Sequence, residues 1–161
     1  KIISKQDQRY TIVLKNIKKL MKNLAHQIVK DGEGISKFIN INVHGARTFQ
    51  QAKNIAFSIG ESSLVKTAVA GSDPNWGRII MAIGKTKERI NPMKVKIKFG
   101  KYVVCNNGVL NSKFKESILK KYMRKNMIEI NVNLGIGSCS KSIWTSDLTK
   151  KYVEINSEYR T

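Results

Sequence analysis

Three stretches of this sequence set residue types at spacings that could do chemistry. In Asp31-Gly32-Glu33-Gly34 a carboxylate stands between two glycines, which let the backbone turn sharply and hold Glu33 at the tip. On residue chemistry alone this is either an acidic surface turn or a carboxylate presented to a ligand. In Leu64–Lys85, LVKTAVAGSDPNWGRIIMAIGK, Arg78 is the one cation between Trp76 and Gly84. A half-buried guanidinium needs a carboxylate or several carbonyls, and Asp73 or the carbonyls of the adjoining corner are the nearest candidates. At the end of the chain Asn156 offers amide donors and an acceptor, and Thr161 a hydroxyl beside a carboxylate. Thr67 has a hydroxyl of the kind that can serve as a nucleophile, but it falls within a helical pattern with no base nearby in sequence and reads as structural.

Other reactive types are sparse. His26 and His44 are too few and too scattered for a metal centre, so no metal is expected. Cys105 and Cys139 have neither CxxC spacing nor a disulfide-rich context, which points to a reducing, cytoplasmic setting with both as small buried hydrophobes. The formal charge of +19 favours a polyanion partner. Against that, the basic residues run along the whole chain with no block set apart as a tail, so ordinary solvated lysines are the preferred reading. Apolar runs are short and interrupted by Lys, so neither a signal peptide nor a membrane span is expected. The 161 residues suffice for one domain with a core, or a domain plus part of another. The sequence opens on Lys1 rather than Met, which leads us to expect a processed chain or a piece of a longer one.

The elements that must position these groups can be read from periodicity. Residues 1 to 10 are polar and charged and should give a frayed or interrupted start. From Tyr10 to Lys30, Ile17, Leu20, Met21, Leu24, Ala25 and Ile28 recur at three and four while Lys15, Lys18, Lys19, Lys22 and Lys30 fall mostly opposite. That is an amphipathic helix, expected to pack on the chain's own sheet rather than on a membrane or in a partner's groove. Phe38 to Val43 alternates as a strand ended by Gly45 and Ala46, and Gln50 to Gly60 reads as a helix. In Leu64–Lys85 two helices flank a corner, with Gly71 left-handed, Asp73 as N-cap, Pro74 as first helical residue and Gly84 as the stop. Val95 to Cys105 is a hairpin turning at Gly100-Lys101, and Asn106-Asn107-Gly108 turns into Val109-Leu110. Ser112 to Lys125 is a helix with Phe114, Ile118, Leu119 and Tyr122 on one face, and Ile128 to Leu134 the clearest strand. Gly135 to Ser142 is flexible, Trp144 to Asp147 a strand or sheet edge, and Leu148 to Tyr152 a short turn or helix.

Some of these stretches carry more than local structure. A-G-x-D-x-N-W-G-R-I, preceded by LVKTA and followed by MAIGK, resembles the signature of the ornithine acetyltransferase (glutamate N-acetyltransferase) family of arginine biosynthesis. Ser72 and Pro74 stand where the family usually has Glu and Ala. DGEG followed by KF resembles the family's D-G-E-G-A-T-K-F, with Ser36 for Thr. WTSDLTKKYVEINSEYRT resembles the family's terminus, with Ser146 for Cys, which implies that the natural C-terminus is present. The likeness runs from about residue 17 to Thr161.

The resemblance implies mixed α/β architecture: residues 1–45 as a remnant of an αββα-type catalytic sandwich, and residues 46–161 as a smaller α/β domain whose tail returns to the substrate site. It implies an enzyme that moves acetyl from N-acetylornithine to glutamate through an acetyl-threonine intermediate, formed after self-cleavage at an Ala-Thr bond. No Ala-Thr pair occurs here, so no catalytic residue is assigned and the isolated chain is expected to be inactive. By the same resemblance Glu33, Asn156 and Thr161 bind substrate, while Asp73, Asn75, Trp76, Gly77 and Arg78 are structural. The implied partners are an α chain and the remainder of the β chain in a hetero-oligomer. No cofactor is implied, although acetyl-CoA is a donor for bifunctional members. Two other readings compete: a basic nucleic-acid-binding module, with Asn75 and Arg78 as the plausible base readers of a helix-turn-helix, and a non-catalytic scaffold relative.

Overall fold

Alternating apolar residues build a single six-stranded sheet in the computed structural model, which describes residues 4–112 and 115–158. The elements in chain order are α1 (Gln8–Lys30), β1 (Phe38–Ala46), α2 (Phe49–Glu61), α3 (Ser63–Ala70), α4 (Trp76–Gly84), β2 (Lys96–Phe99), β3 (Tyr102–Asn106), β4 (Val109–Leu110), α5 (Glu116–Met123), β5 (Met127–Asn133), β6 (Cys139–Ser146) and α6 (Lys150–Ser157). The strand order is β4-β3-β2-β5-β1-β6. β1 runs parallel to β5, with Ile41 opposite Ile130, and antiparallel to β6. The mixed α/β class expected from the sequence is the one observed. β1 contains the boundary drawn at residue 45 and has a neighbour from residues 46–161 on each side.

The two faces of the sheet differ as the side-chain period of two requires. Ile39, Ile41 and Val43 of β1 and Ile128, Ile130 and Val132 of β5 are fully buried beneath α2, α3 and α4, in one core with Ile55, Ile59, Val69, Ile79 and Ile83. The other face carries polar groups at its centre and the rings of Phe38 and Trp144 under α1. The Asn42 amide there donates to Glu129 at 2.9 Å and Asn131 at 3.0 Å and accepts from the Ser142 hydroxyl at 2.6 Å.

Several expected boundaries shift, each for a local reason. α1 begins at Gln8, earlier than the fraying expectation, because Asp7 caps it by accepting from the Arg9 N–H at 2.9 Å. α3 ends in a Schellman arrangement, Ser72 N–H to Val69 O at 3.0 Å and Asp73 N–H to Ala68 O at 2.8 Å. The left-handed residue is therefore Ser72 (φ 56°), and Gly71 stays at φ −74°. Because Asp73 is drawn into that motif, it does not cap α4. Asn75 does, its side chain accepting from the Arg78 N–H at 3.2 Å, and Pro74 lies in the connector. β1 continues through Gly45, whose φ of +68° lets it pass where a Cβ would sit 2.3 Å from Asn133. β6 starts at Cys139, inside the stretch expected to be flexible, because pairing with β1 orders it. α5 starts at Glu116 rather than Ser112, and Phe114 lies outside the described residues.

The largest departure is α1. Its apolar stripe does not pack on the sheet. The side that does is His26, edge-on to Phe38 at 5.1 Å and to Trp144 at 4.5 Å between ring centroids, flanked by Lys22 over Trp144 and Lys30 over Phe38. Ile17, Leu20, Met21, Leu24 and Ile28 are all exposed. The aromatic pair sits half a helical turn from the stripe, so the contact that holds the helix excludes the stripe from the core.

Candidate functional site

The acidic turn between α1 and β1 is held by the segment that follows β6. Asp147 is almost wholly buried and accepts from the backbone N–H groups of Ser36 at 2.9 Å and Lys37 at 3.0 Å and from the Ser36 hydroxyl. Its own N–H donates to Lys37 O at 3.1 Å. Thr149 caps α6 and donates its hydroxyl to Gly34 O. Gly34 (φ +64°) lies so close to the start of α6 that a Cβ would be 2.5 Å from the Tyr152 nitrogen. Glycine is required there for both conformation and space.

These contacts bring Glu33 to α6. The Asn156 amide lies 3.5 Å from the Glu33 carboxylate, at the outer limit of a hydrogen bond, while donating to Tyr152 O at 2.8 Å. Both side chains are exposed, and a cleft of about 320 Å³ adjoins Glu33, lined also by Ile35, Glu61, Lys66, Asp147 and Tyr152. An exposed carboxylate beside an amide can take an ammonium group, with the amide oxygen or nitrogen directed by what else is bound. Of the substrate-binding residues read from sequence, Glu33 and Asn156 are brought together across 123 positions. Thr161 lies outside the described residues.

Lys37 had no role in the sequence reading, yet it joins two of the motifs. It is 7% exposed, and its ammonium donates to Val69 O at 2.7 Å and to the Ser72 hydroxyl at 2.7 Å. A cation at the carbonyl end of α3 is favoured by the helix dipole. Burial pulls its pKa below the usual lysine value, and the Asp147 carboxylate works against that pull. The signal available in the sequence was its place directly after DGEGIS. Asp147 and Thr149, noted only as part of the terminal motif, turn out to be positioning residues.

The corner is tied together by bonds within the chain. Arg78 does not pair with Asp73; it donates to Leu64 O at 2.8 Å and to the Thr67 hydroxyl at 3.2 Å, since Asp73 accepts from the Asn75 amide at 3.1 Å. Thr67 also donates to Leu64 O at 3.2 Å, which agrees with a structural part. Trp76 packs against the core and Gly77 is exposed beside the Asn75 cap. The helix-turn-helix reading fails here: Ile79, Ala82 and Ile83 of α4 are buried, and Asn75 and Arg78, its base readers, are engaged within the chain. Among the described residues no three His, Cys, Asp or Glu side chains gather into a metal-binding group, and no helix is long and apolar enough to cross a membrane. Cys105 is buried, which pushes its thiol pKa up, whereas Cys139 is half-exposed rather than buried as expected.

The sequence model of the ArgJ family matches residues 2–161. The chain belongs to the ArgJ family. It is 41% identical over 155 residues to the arginine biosynthesis bifunctional protein ArgJ of Caulobacter vibrioides, covering 96% of this chain and 38% of that protein. It is 42% identical over 161 residues to the ArgJ of Agrobacterium fabrum, covering 100% and 39% respectively. The crystal structure of ArgJ from Bacillus halodurans superposes with a TM-score of 0.93 at 36% identity, over 99% of this chain and 75% of that one. The chain therefore spans less than two-fifths of the length of these curated ArgJ relatives.

Proposed function

We propose that this chain supplies one wall of the substrate pocket of an acetyltransferase that moves acetyl from N-acetylornithine to glutamate. The observation that carries the reading is the approach of Asn156 to Glu33 at 3.5 Å, on a turn and a helix locked together by Asp147 and Thr149. Glu33 holds the ammonium of the bound amino acid, and Asn156 and Thr161 complete its hydrogen bonds. The nucleophilic threonine and the oxyanion hole come from parts of the enzyme outside this chain, which has no Ala-Thr pair. That threonine attacks the acetyl carbonyl of N-acetylornithine and releases ornithine, and the amine of glutamate then takes the acetyl group and restores the hydroxyl. The chain works as part of a cytoplasmic α and β hetero-oligomer. No resident cofactor takes part, and acetyl-CoA would enter as an alternative donor.

The test is Glu33→Ala in the longer enzyme containing this chain. Losing a desolvated carboxylate partner costs about 2 to 4 kcal/mol, so kcat/KM for N-acetylornithine or glutamate should fall about 30- to 700-fold. Unchanged kinetics would remove Glu33 from the site.

A further inference from the structure

The cleft beside Glu33 carries a charge that does not match its proposed contents. Glu33 lines it from the turn, Glu61 from the end of α2 and Asp147 from the segment after β6, and both glutamates are exposed. An amino acid held by its ammonium at Glu33 brings its own carboxylate into the same space. Like charges at that range repel, the more so as water is excluded. At about 320 Å³ the cleft lies near the lower end of the roughly 300 to 1,000 Å³ usual for ligand sites, so that carboxylate has little room to stand off.

Lys66 is the one cation among the described residues lining this cleft. It stands on α3 and is half-buried, and its carbonyl accepts from the Leu148 N–H at 3.4 Å, which ties α3 to the segment that carries Asp147. With three carboxylates around the cleft, its ammonium has partners close at hand. It takes none of them: among the described residues Lys66 is in no ion pair, and its Nζ donates no hydrogen bond. The hydroxyls of Ser63 and Ser146 line the same cleft and can donate to an anion. We propose that Lys66 is a substrate-binding residue, its ammonium taking the carboxylate of the bound amino acid while Glu33 takes an ammonium, with Ser63 and Ser146 donating to that carboxylate. The pair selects compounds that carry both charges. Ornithine, N-acetylornithine and glutamate all do, which is how a cleft lined by carboxylates admits each of them. The proposal rests on the reading of this cleft as an amino-acid site.

The experiment titrates the longer enzyme containing this chain, by calorimetry, with ornithine and with putrescine, the diamine that remains when ornithine loses its carboxylate. Lys66→Gln keeps helix propensity and removes the charge. It should weaken ornithine about 10- to 100-fold and leave putrescine within about twofold. Lys66→Arg keeps a cation and should restore ornithine binding to within about fivefold of the parent enzyme. A lysine that only holds the fold would weaken both ligands together, so equal losses overturn the proposal. An unchanged ornithine affinity in Lys66→Gln also overturns it. Where putrescine is too weak to titrate, Lys66→Arg decides, and an ornithine affinity no better than that of Lys66→Gln overturns the proposal. Loss in Lys66→Gln with none in Glu33→Ala keeps Lys66 and removes Glu33. Loss in Glu33→Ala with none in Lys66→Gln keeps the amino-acid cleft and removes Lys66. No binding of ornithine or N-acetylornithine to the parent enzyme removes the cleft and Lys66 together.

Discussion

His26 is the residue on which the placement of α1 depends, and its chemistry makes that placement sensitive to pH. Its Nε2 is buried without a hydrogen-bond partner between Phe38 and Trp144. Burial lowers its pKa below the ordinary 6.5, and the charges of Lys22 and Lys30 push the same way. Between the folded and unfolded values the unfolded chain binds the proton more readily, so this contribution to stability is complete above about pH 6.5 and declines as pH falls through that window. The urea midpoint of the native chain should therefore drop more between pH 7 and pH 5 than that of His26→Phe, which keeps an aromatic ring and has no proton to bind. Equal drops in both proteins would show that the imidazole takes up its proton as readily in the folded chain as in the unfolded one. Lys37 is the counterpart at the site: a buried cation whose bonds to Val69 O and Ser72 join the DGEG turn to the NWGR corner.

At the scale of elements, the candidate site is a contact between a turn and a helix end. Gly34 is its tightest point, with left-handed backbone and no room for a Cβ against Tyr152. Gly34→Ala should cost about 2 kcal/mol or more, from the conformational penalty and the collision with helix backbone together, which movement of a single side chain cannot relieve. Chemical denaturation would measure this, and an unchanged midpoint would mean that the turn and α6 separate freely. Periodicity made α2, β1 and β5 legible, because each buries one regular face. It misplaced the cap of α4, since Gly71 and Asp73 are the commoner choices for a left-handed stop and an N-cap. Ser72 and Asn75 hold those places because the Schellman bonds and the Lys37 ammonium favour them.

For the whole molecule, the sheet order decides what the chain can do alone. β5 inserts between β2 and β1, drawing residues distant in sequence into one layer and carrying the chain through β6 back to the DGEG turn. That return brings Asn156 to 3.5 Å from Glu33, the contact on which the proposed pocket wall rests. The purified chain should accordingly transfer no acetyl group from N-acetylornithine to glutamate above the rate without protein. Transfer by a preparation free of longer ArgJ polypeptides would contradict the proposed division of labour.

The amino-acid sequence by itself determined the family, the α/β class and most elements, because these reside in local patterns and in motifs of fixed spacing, and it supplied Glu33 and Asn156 as the candidates that the fold brings within 3.5 Å. It could not determine that Lys37, Asp147 and Thr149 position the site, since their partners lie from 32 to 115 residues away. Nor could it decide which side of α1 meets the sheet. A stripe of leucines and isoleucines reads as core wherever it occurs, and only the packing of His26 against Phe38 and Trp144 places this stripe on the outer side of the helix.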